Sequence, residues 1–345
     1  MHHEEAGDSP AGFAPLLLPA DFTGSLAVRK NGQLLYQACR GYANRSEFIP
    51  NSLHTRYQLA SVSKVFTAVV ILQLVEEGRL RVEDRLLALL PDLSLTWVSP
   101  DVTVHSLLTH TSGVPDYFDE SVMDDYSALW KDRPIHTMRQ PADFLPLMAK
   151  SPVQFAPGTA FRYNNGGFVL LALVVEKLTG LPFARACEER VFRKAGMHDA
   201  GYFHVDRMPS RCATGYREKE DGWVSNLFDL PPVGGGDGGA WCGTDDLFQF
   251  WEALANGTLL GLPLVSRMMH PHTEEPDGDA YGYGVWLKEM GGHHAWFLQG
   301  CDPGVSAVSL MDPVRGISFS VLGNTERAAW DVSGELIRRI VDGVL

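Results

Sequence analysis

The sequence predicts an α/β (α+β) fold: a central antiparallel sheet built from both chain ends, flanked by the terminal helices, with a mostly helical region inserted between. Three observations predict it. Two strand patterns joined by a hairpin signal open the chain after residue 20. Strand patterns return after about residue 280 and a helix closes the chain. Between them the apolar residues fall in helix-length runs separated by long loops. The boundaries that follow are a flexible N-terminal arm over 1–20, sheet regions over 21–58 and 245–345, and a mostly helical region over 59–244, forming one compact catalytic unit.

Each element has a local reason. Gly24-Ser25-Leu26-Ala27-Val28-Arg29-Lys30 and Gln33-Leu34-Leu35-Tyr36-Gln37-Ala38 flank Asn31-Gly32. Asn-Gly suits a type I′ hairpin because both central residues need positive φ. Leu59 to Gly78 reads as a helix that Ser61 or Ser63 can cap and Gly78 stops. It is apolar on nearly every side, which places it inside a domain. Further helices are expected over 104–108, 168–178, 184–194 and, capped by Thr244 or Asp245, over 245–255. Strands are expected over 283–289, 294–298, 305–311 and 317–322, with Asp312-Pro313 turning between the last two, and a helix over 326–344.

Composition narrows the function. The 345 residues are 45% hydrophobic and 21% charged, as in ordinary globular proteins. The formal net charge is −13, and no basic run is present to displace the counterions of a nucleic acid or to bind an anionic membrane. No stretch of 18 apolar residues suggests a membrane span. The N-terminus lacks a basic segment followed by an apolar core, so the chain is expected to be cytoplasmic, or secreted or periplasmic if a leader has been trimmed. Cys39, Cys187, Cys212, Cys242 and Cys301 are odd in number and scattered, which suits free thiols.

Two segments carry chemistry. In Ser61-Val62-Ser63-Lys64, helical spacing puts the Ser61 hydroxyl beside the Lys64 amine. A serine hydroxyl needs a base, and a lysine becomes one when burial lowers its pKa. By itself S-x-x-K is common, and a capping serine with a solvated lysine is the blander reading. Here Lys64 opens a buried apolar helix, where an unpaired charge is costly, so it needs partners. In Tyr163-Asn164-Asn165, before another apolar helix, a phenol could shuttle a proton and an amide could hold a substrate carbonyl. An ordinary turn is equally consistent with that segment alone.

Taken in order, Leu59-Ala60-Ser61-Val62-Ser63-Lys64, then Leu107-Leu108-Thr109-His110-Thr111-Ser112-Gly113, then Pro157-Gly158-Thr159 leading to Tyr163-Asn164-Asn165, the chain resembles the serine β-lactamase and penicillin-binding-protein superfamily. The class C-type branch is most similar: AmpC-like β-lactamases, family VIII esterases and D-aminopeptidase-like hydrolases. The resemblance covers about residues 22–325. It implies that Ser61 is the acyl-accepting nucleophile, Lys64 its neighbouring base, Tyr163 a second base and Asn165 a substrate-orienting residue. It implies hydrolysis of an ester or amide, in a small molecule or peptide, with no cofactor or metal. Acyl transfer through the same intermediate, or a non-catalytic binding or sensor protein, are the alternatives. Oligomeric state is not legible.

The third family motif departs from its pattern. Counting back from Pro303-Gly304, the triplet is Leu298-Gln299-Gly300, so Leu298 stands where the family carries a cation that helps bind a substrate carboxylate. This implies that β-lactams and D-Ala-D-Ala peptides are poorer substrates. Gln299, Gly300 and Cys301 are expected at the substrate, with the Cys301 and Ser61 backbone N–H groups forming an oxyanion hole. His293 or His294 could replace the cation if the register shifts. Gly234-Gly235-Gly236-Asp237-Gly238-Gly239 matches a dinucleotide fingerprint but lacks its βαβ setting, and reads as a flexible wall of the active site. Tyr117, Phe118, Trp223 and Trp241 lie in segments that could line a cleft. His270-Pro271-His272 and His293-His294 read as surface histidines, because no metal-ligand spacing accompanies them.

Overall fold

The computed structural model describes residues 4–6, 16–123, 125–131, 133–275 and 278–345. Its centre is a nine-stranded antiparallel sheet. We number the strands β1 (Glu4–Ala6), β2 (Gly24–Lys30), β3 (Gln33–Arg40), β4 (Thr273–Glu274), β5 (Ala280–Tyr281), β6 (Trp286–Glu289), β7 (His294–Asp302), β8 (Val305–Asp312) and β9 (Ile317–Gly323). Their order across the sheet is β1-β3-β2-β9-β8-β7-β6-β5-β4. The two chain ends meet where β2 pairs antiparallel with β9, Leu26 opposite Val321. The sheet from both termini is therefore present, and Asn31 and Gly32 both take positive φ in the hairpin turn.

Part of the expected arm departs from expectation. Glu4–Ala6 pairs with Ala38–Arg40 as an edge strand, while residues 1–3 and 7–15 lie outside the described residues. The strand expected from Tyr283 begins only at Trp286, because Gly284 takes a positive φ of 69° where it packs against Lys64 and Ala68.

Both faces of the sheet are covered. Helices α1 (Lys64–Glu76), α2 (Asn165–Thr179) and α3 (Thr244–Ala255) belong to the larger apolar core, which takes Leu298, Ala307 and Leu322 from the sheet. Helix α4 (Ala328–Val341) packs Val332, Leu336 and Ile340 on the opposite face, against Val308, Phe319 and Val321. The expected helix over 184–194 is broken into an α-turn, a π-turn over Glu188–Phe192 and a last α-turn. For α3 the cap is Gly243, whose N–H donates to Asp246 Oδ2, rather than Thr244 or Asp245. Among the described residues no single helix is long and apolar enough to cross a membrane, and none of the five cysteines is in a disulfide.

Candidate active site

The position of Ser61 comes from a break in regular structure. The helix expected from Leu59 is a 3-10 turn over Ala60–Ser63 followed by α1, and neither serine caps α1 through its side chain. Ser63 instead ties the turn down: its hydroxyl donates to Ala60 O (2.7 Å) and accepts from Ala240 N (3.0 Å). Ala60 has φ 46°, a left-handed conformation that strains a residue with a Cβ. The strain sits immediately before Ser61, which faces a cavity of about 380 Å³.

Lys64 is fully enclosed, as its place on an apolar helix requires. Its Nζ donates to Ser61 Oγ (3.0 Å), Asn165 Oδ1 (2.8 Å) and the backbone O of Asp237 (2.7 Å). All three donors of an ammonium are thus used, and none of the three acceptors is a carboxylate. Burial lowers its pKa below the ordinary lysine value, against the pull of Asp237, Glu120, Asp302 and Asp116. The structure thus brings Ser61, Lys64 and Asn165 together from two helices about 100 residues apart in sequence.

Tyr163 completes the group. Its hydroxyl hydrogen-bonds with Ser61, its ring lies 4.7 Å from Lys64 Nζ, and it stacks on Trp286. Burial holds the phenol well above its ordinary pKa, with the nearby Glu120 acting in the same direction. His110 positions it. The His110 ring packs 4.4 Å from the Tyr163 ring, Nδ1 accepts the Asn164 N–H (3.1 Å), and Nε2 lies 3.0 Å from the Tyr281 hydroxyl. With Nδ1 accepting, the proton of a neutral ring is on Nε2. Burial keeps His110 well below its ordinary pKa, with Lys64 adding to the effect.

Asp116 and Glu120 carry no signal in the sequence, and Tyr117 and Phe118 read there only as possible cleft lining, yet residues 116–120 hold Asn165 and Asp237, two of the three groups that accept from Lys64. Asp116 accepts the N–H groups of Asn165 (2.7 Å) and Gly166 (2.9 Å), which are free at the start of α2. Asn165 Nδ2 donates to Phe118 O (3.1 Å) and approaches Glu120 Oε1 at 3.4 Å. The Tyr117 hydroxyl bonds to Asp237 Oδ2. The glycine-rich run forms a cavity wall: Thr67 Oγ1 donates to Gly236 O (2.6 Å), and Gly236 touches α2 so closely that a Cβ there would meet Phe168 O at 2.3 Å.

The third motif is partly as expected. The Ser61 turn packs on β7, where Gly300 leaves room for it: a Cβ on Gly300 would lie 2.5 Å from Leu59 O and 2.8 Å from Ser61 N. Cys301 lines the cavity. Gln299 does not. Strand alternation turns it away from the face of Leu298 and Gly300, and its side chain is exposed outside the cavity lining. No register shift brings a histidine in: Leu298 pairs with Ser309, His293 bonds Asp312 (2.9 Å) and His294 bonds Gly278 O (3.0 Å). Leu298 itself is buried in the core. Of the four aromatics singled out, Tyr117 and Phe118 line the cavity, whereas Trp241 is buried in a short strand and Trp223 packs on Tyr216. No cluster of metal-ligating side chains occurs among the described residues.

Comparison with known proteins identifies what the chain is similar to. The family model described as Beta-lactamase matches residues 22–341. Esterase EstB of Burkholderia gladioli is 34% identical over 371 residues, covering 96% of this chain and 93% of that protein. Penicillin-binding protein 4* of Bacillus subtilis (strain 168) is 32% identical over 249 residues, 68% of this chain and 52% of that protein, so the chain spans about half the length of this relative. Among solved structures, the penicillin binding protein from Bacillus halodurans superposes with a TM-score of 0.87 at 43% identity, covering 91% of this chain and 96% of that one.

Proposed function

The chain belongs to the Beta-lactamase family, and from that premise we propose that it is a serine hydrolase cleaving an ester or amide bond through a covalent acyl-enzyme on Ser61. The observation that carries this reading is the placement of Lys64 Nζ 3.0 Å from Ser61 Oγ in a site that burial makes unfavourable for its charge. In the neutral amine form, Lys64 accepts the Ser61 proton as Oγ attacks the carbonyl carbon. The carbonyl oxygen takes the negative charge, facing the backbone N–H groups of Ser61 and Cys301. Collapse breaks the bond to the leaving oxygen or nitrogen, which takes a proton delivered through the Tyr163 hydroxyl. Water then attacks the acyl carbon, giving its proton to the same relay, and the acid leaves with Ser61 Oγ–H restored.

Two features favour an esterase or amidase over an efficient β-lactamase. Leu298 is buried and apolar where a carboxylate-binding cation would stand. EstB, an esterase by name, aligns over 93% of its length. The test is intact mass after treatment with a fluorophosphonate, with wild type beside Ser61→Ala. One adduct on wild type and none on the variant supports the reading. Labelling that survives in Ser61→Ala contradicts it.

A further inference from the structure

The charges of the cavity wall are one-sided. Glu120, Asp125, Asp237, Asp302 and Glu326 line it, and the basic side chain in that lining is Arg217. Arg217 is already engaged by Asp229 (3.1 Å) and Glu326 (3.5 Å). Asp237 accepts from Tyr117, and Asp125 accepts from Ser127 N (3.0 Å). Two carboxylates are left over. Glu120 makes one long 3.4 Å contact with Asn165 Nδ2. Asp302 is partly buried and has no side-chain hydrogen bond or ion pair among the described residues.

Asp302 also has a telling position. It lies two residues past Gly300 on β7, so alternation puts it on the same sheet face as Gly300, against which the Ser61 turn packs. Loss of solvent pushes its carboxyl up to about 8, against the pull of Lys64. An unpaired carboxylate in such a place is unfavourable until a cation joins it. The remaining wall suits a cation as well. Phe118 and Tyr126 meet edge to face at 4.9 Å, and Tyr117 and Phe144 stand beside them. Aromatic faces attract alkylammonium groups while packing their carbon atoms. On the same strand Leu298 supplies no positive charge for an anionic substrate.

We propose that this cavity selects substrates carrying an alkylammonium group, with Asp302 as the counter-charge, Glu120 beside it and the Phe118–Tyr126 wall holding the alkyl part. The proposal rests on the hydrolase reading and names its substrate class. Two matched pairs of esters test it, because the charge can sit on either side of the scissile bond. On the acyl side, p-nitrophenyl 4-(trimethylammonio)butyrate is compared with its neutral isostere, p-nitrophenyl 5,5-dimethylhexanoate. On the alcohol side, butyrylcholine is compared with 3,3-dimethylbutyl butyrate. The expected result is a kcat/KM ratio of about tenfold or more for the cation in at least one pair, falling severalfold in Asp302→Asn. Glu120→Gln, on a separate loop, reduces the same ratio and decides the matter if Asp302→Asn does not fold. Ratios below about tenfold in both pairs, or a ratio unchanged in both variants, overturn the proposal while leaving the hydrolase reading intact. If no ester is turned over and Ser61 takes no fluorophosphonate, the hydrolase reading has failed and this proposal falls with it.

Discussion

Replacing Gly300 by alanine tests how the oxyanion site is built. One methyl group is added on β7, against the backbone of the Ser61 turn, and no side chain is removed. The new Cβ would meet Leu59 O at 2.5 Å, Ser61 N at 2.8 Å and Val62 N at 3.0 Å. Ordinary contact begins at 3.4 Å, so the turn carrying Ser61 must retreat from the strand by close to 1 Å. Its atoms are backbone and cannot swing aside as a side chain would. A misplacement of about 1 Å in a catalytic group can lower the rate about 10²-fold, and losing one oxyanion donor costs about 10²–10³-fold in kcat. Overpacking destabilises by about 1–3 kcal/mol, a fall of roughly 1–4 °C in Tm for a chain this large. The assay is kcat and KM on a p-nitrophenyl ester beside a thermal scan. Gly334→Ala is the control: nothing lies within 4 Å of its added Cβ, and it sits in α4 far along the chain from the site. Gly300→Ala is expected to fold and to lose about two orders of magnitude in kcat, while Gly334→Ala keeps wild-type kcat. A folded Gly300→Ala enzyme with wild-type kcat would refute the argument that Gly300 sets the Ser61 turn.

Other consequences follow from the same geometry. Because burial lowers the Lys64 pKa from 10.5, kcat/KM should climb with pH along a limb centred below that value; a pH–rate profile whose limb sits at or above it contradicts Lys64 as the base. Tyr163→Phe keeps the ring stacked on Trp286 and removes only the hydroxyl, so kcat should fall by about 10²–10⁴ with little change in Tm. The carboxyl of Asp302 rises from 3.8 to about 8 on folding, so the native state holds a proton that the unfolded chain has released between those values. Stability from this group is therefore lost as pH rises through that window. Urea unfolding of Asp302→Asn should depend less steeply on pH between about 4 and 8 than wild type, and an equal slope would show that Asp302 is ionised in the native state.

The legible parts of this protein were those with a strong local cause. Asn31-Gly32 marked the first hairpin, and the apolar residues on nearly every side of 65–75 marked a central helix. Ser61 and Lys64 were readable because a lysine at the start of a buried apolar helix must find partners, which a solvated surface lysine does not need. Less was visible where partners come from distant loops. Asp116, Tyr117 and Glu120 look like an ordinary acidic turn in sequence, and only the fold shows that they hold Asn165 and Asp237 against Lys64. Gln299 was misplaced because a motif triplet was treated as a unit, although alternation along β7 sends its middle side chain to the other face. The same alternation, applied two residues further, would have drawn attention to Asp302. The cap at Gly243 escaped because a glycine offers only its backbone N–H, which Asp246 accepts, and the 3-10 turn before α1 because the bond from Ala240 N that ties Ser63 down comes from far along the chain.

The central claim is that an acyl group passes through Ser61, and the most direct measurement is to catch it there. Wild-type protein mixed with excess p-nitrophenyl ester is quenched in acid within the first turnovers, digested and analysed by mass. The account predicts the acyl mass on the peptide containing Ser61, formed with a matching burst of p-nitrophenol and absent in Ser61→Ala. Steady turnover by wild type with no acyl-peptide and no burst, and undiminished in Ser61→Ala, would contradict it.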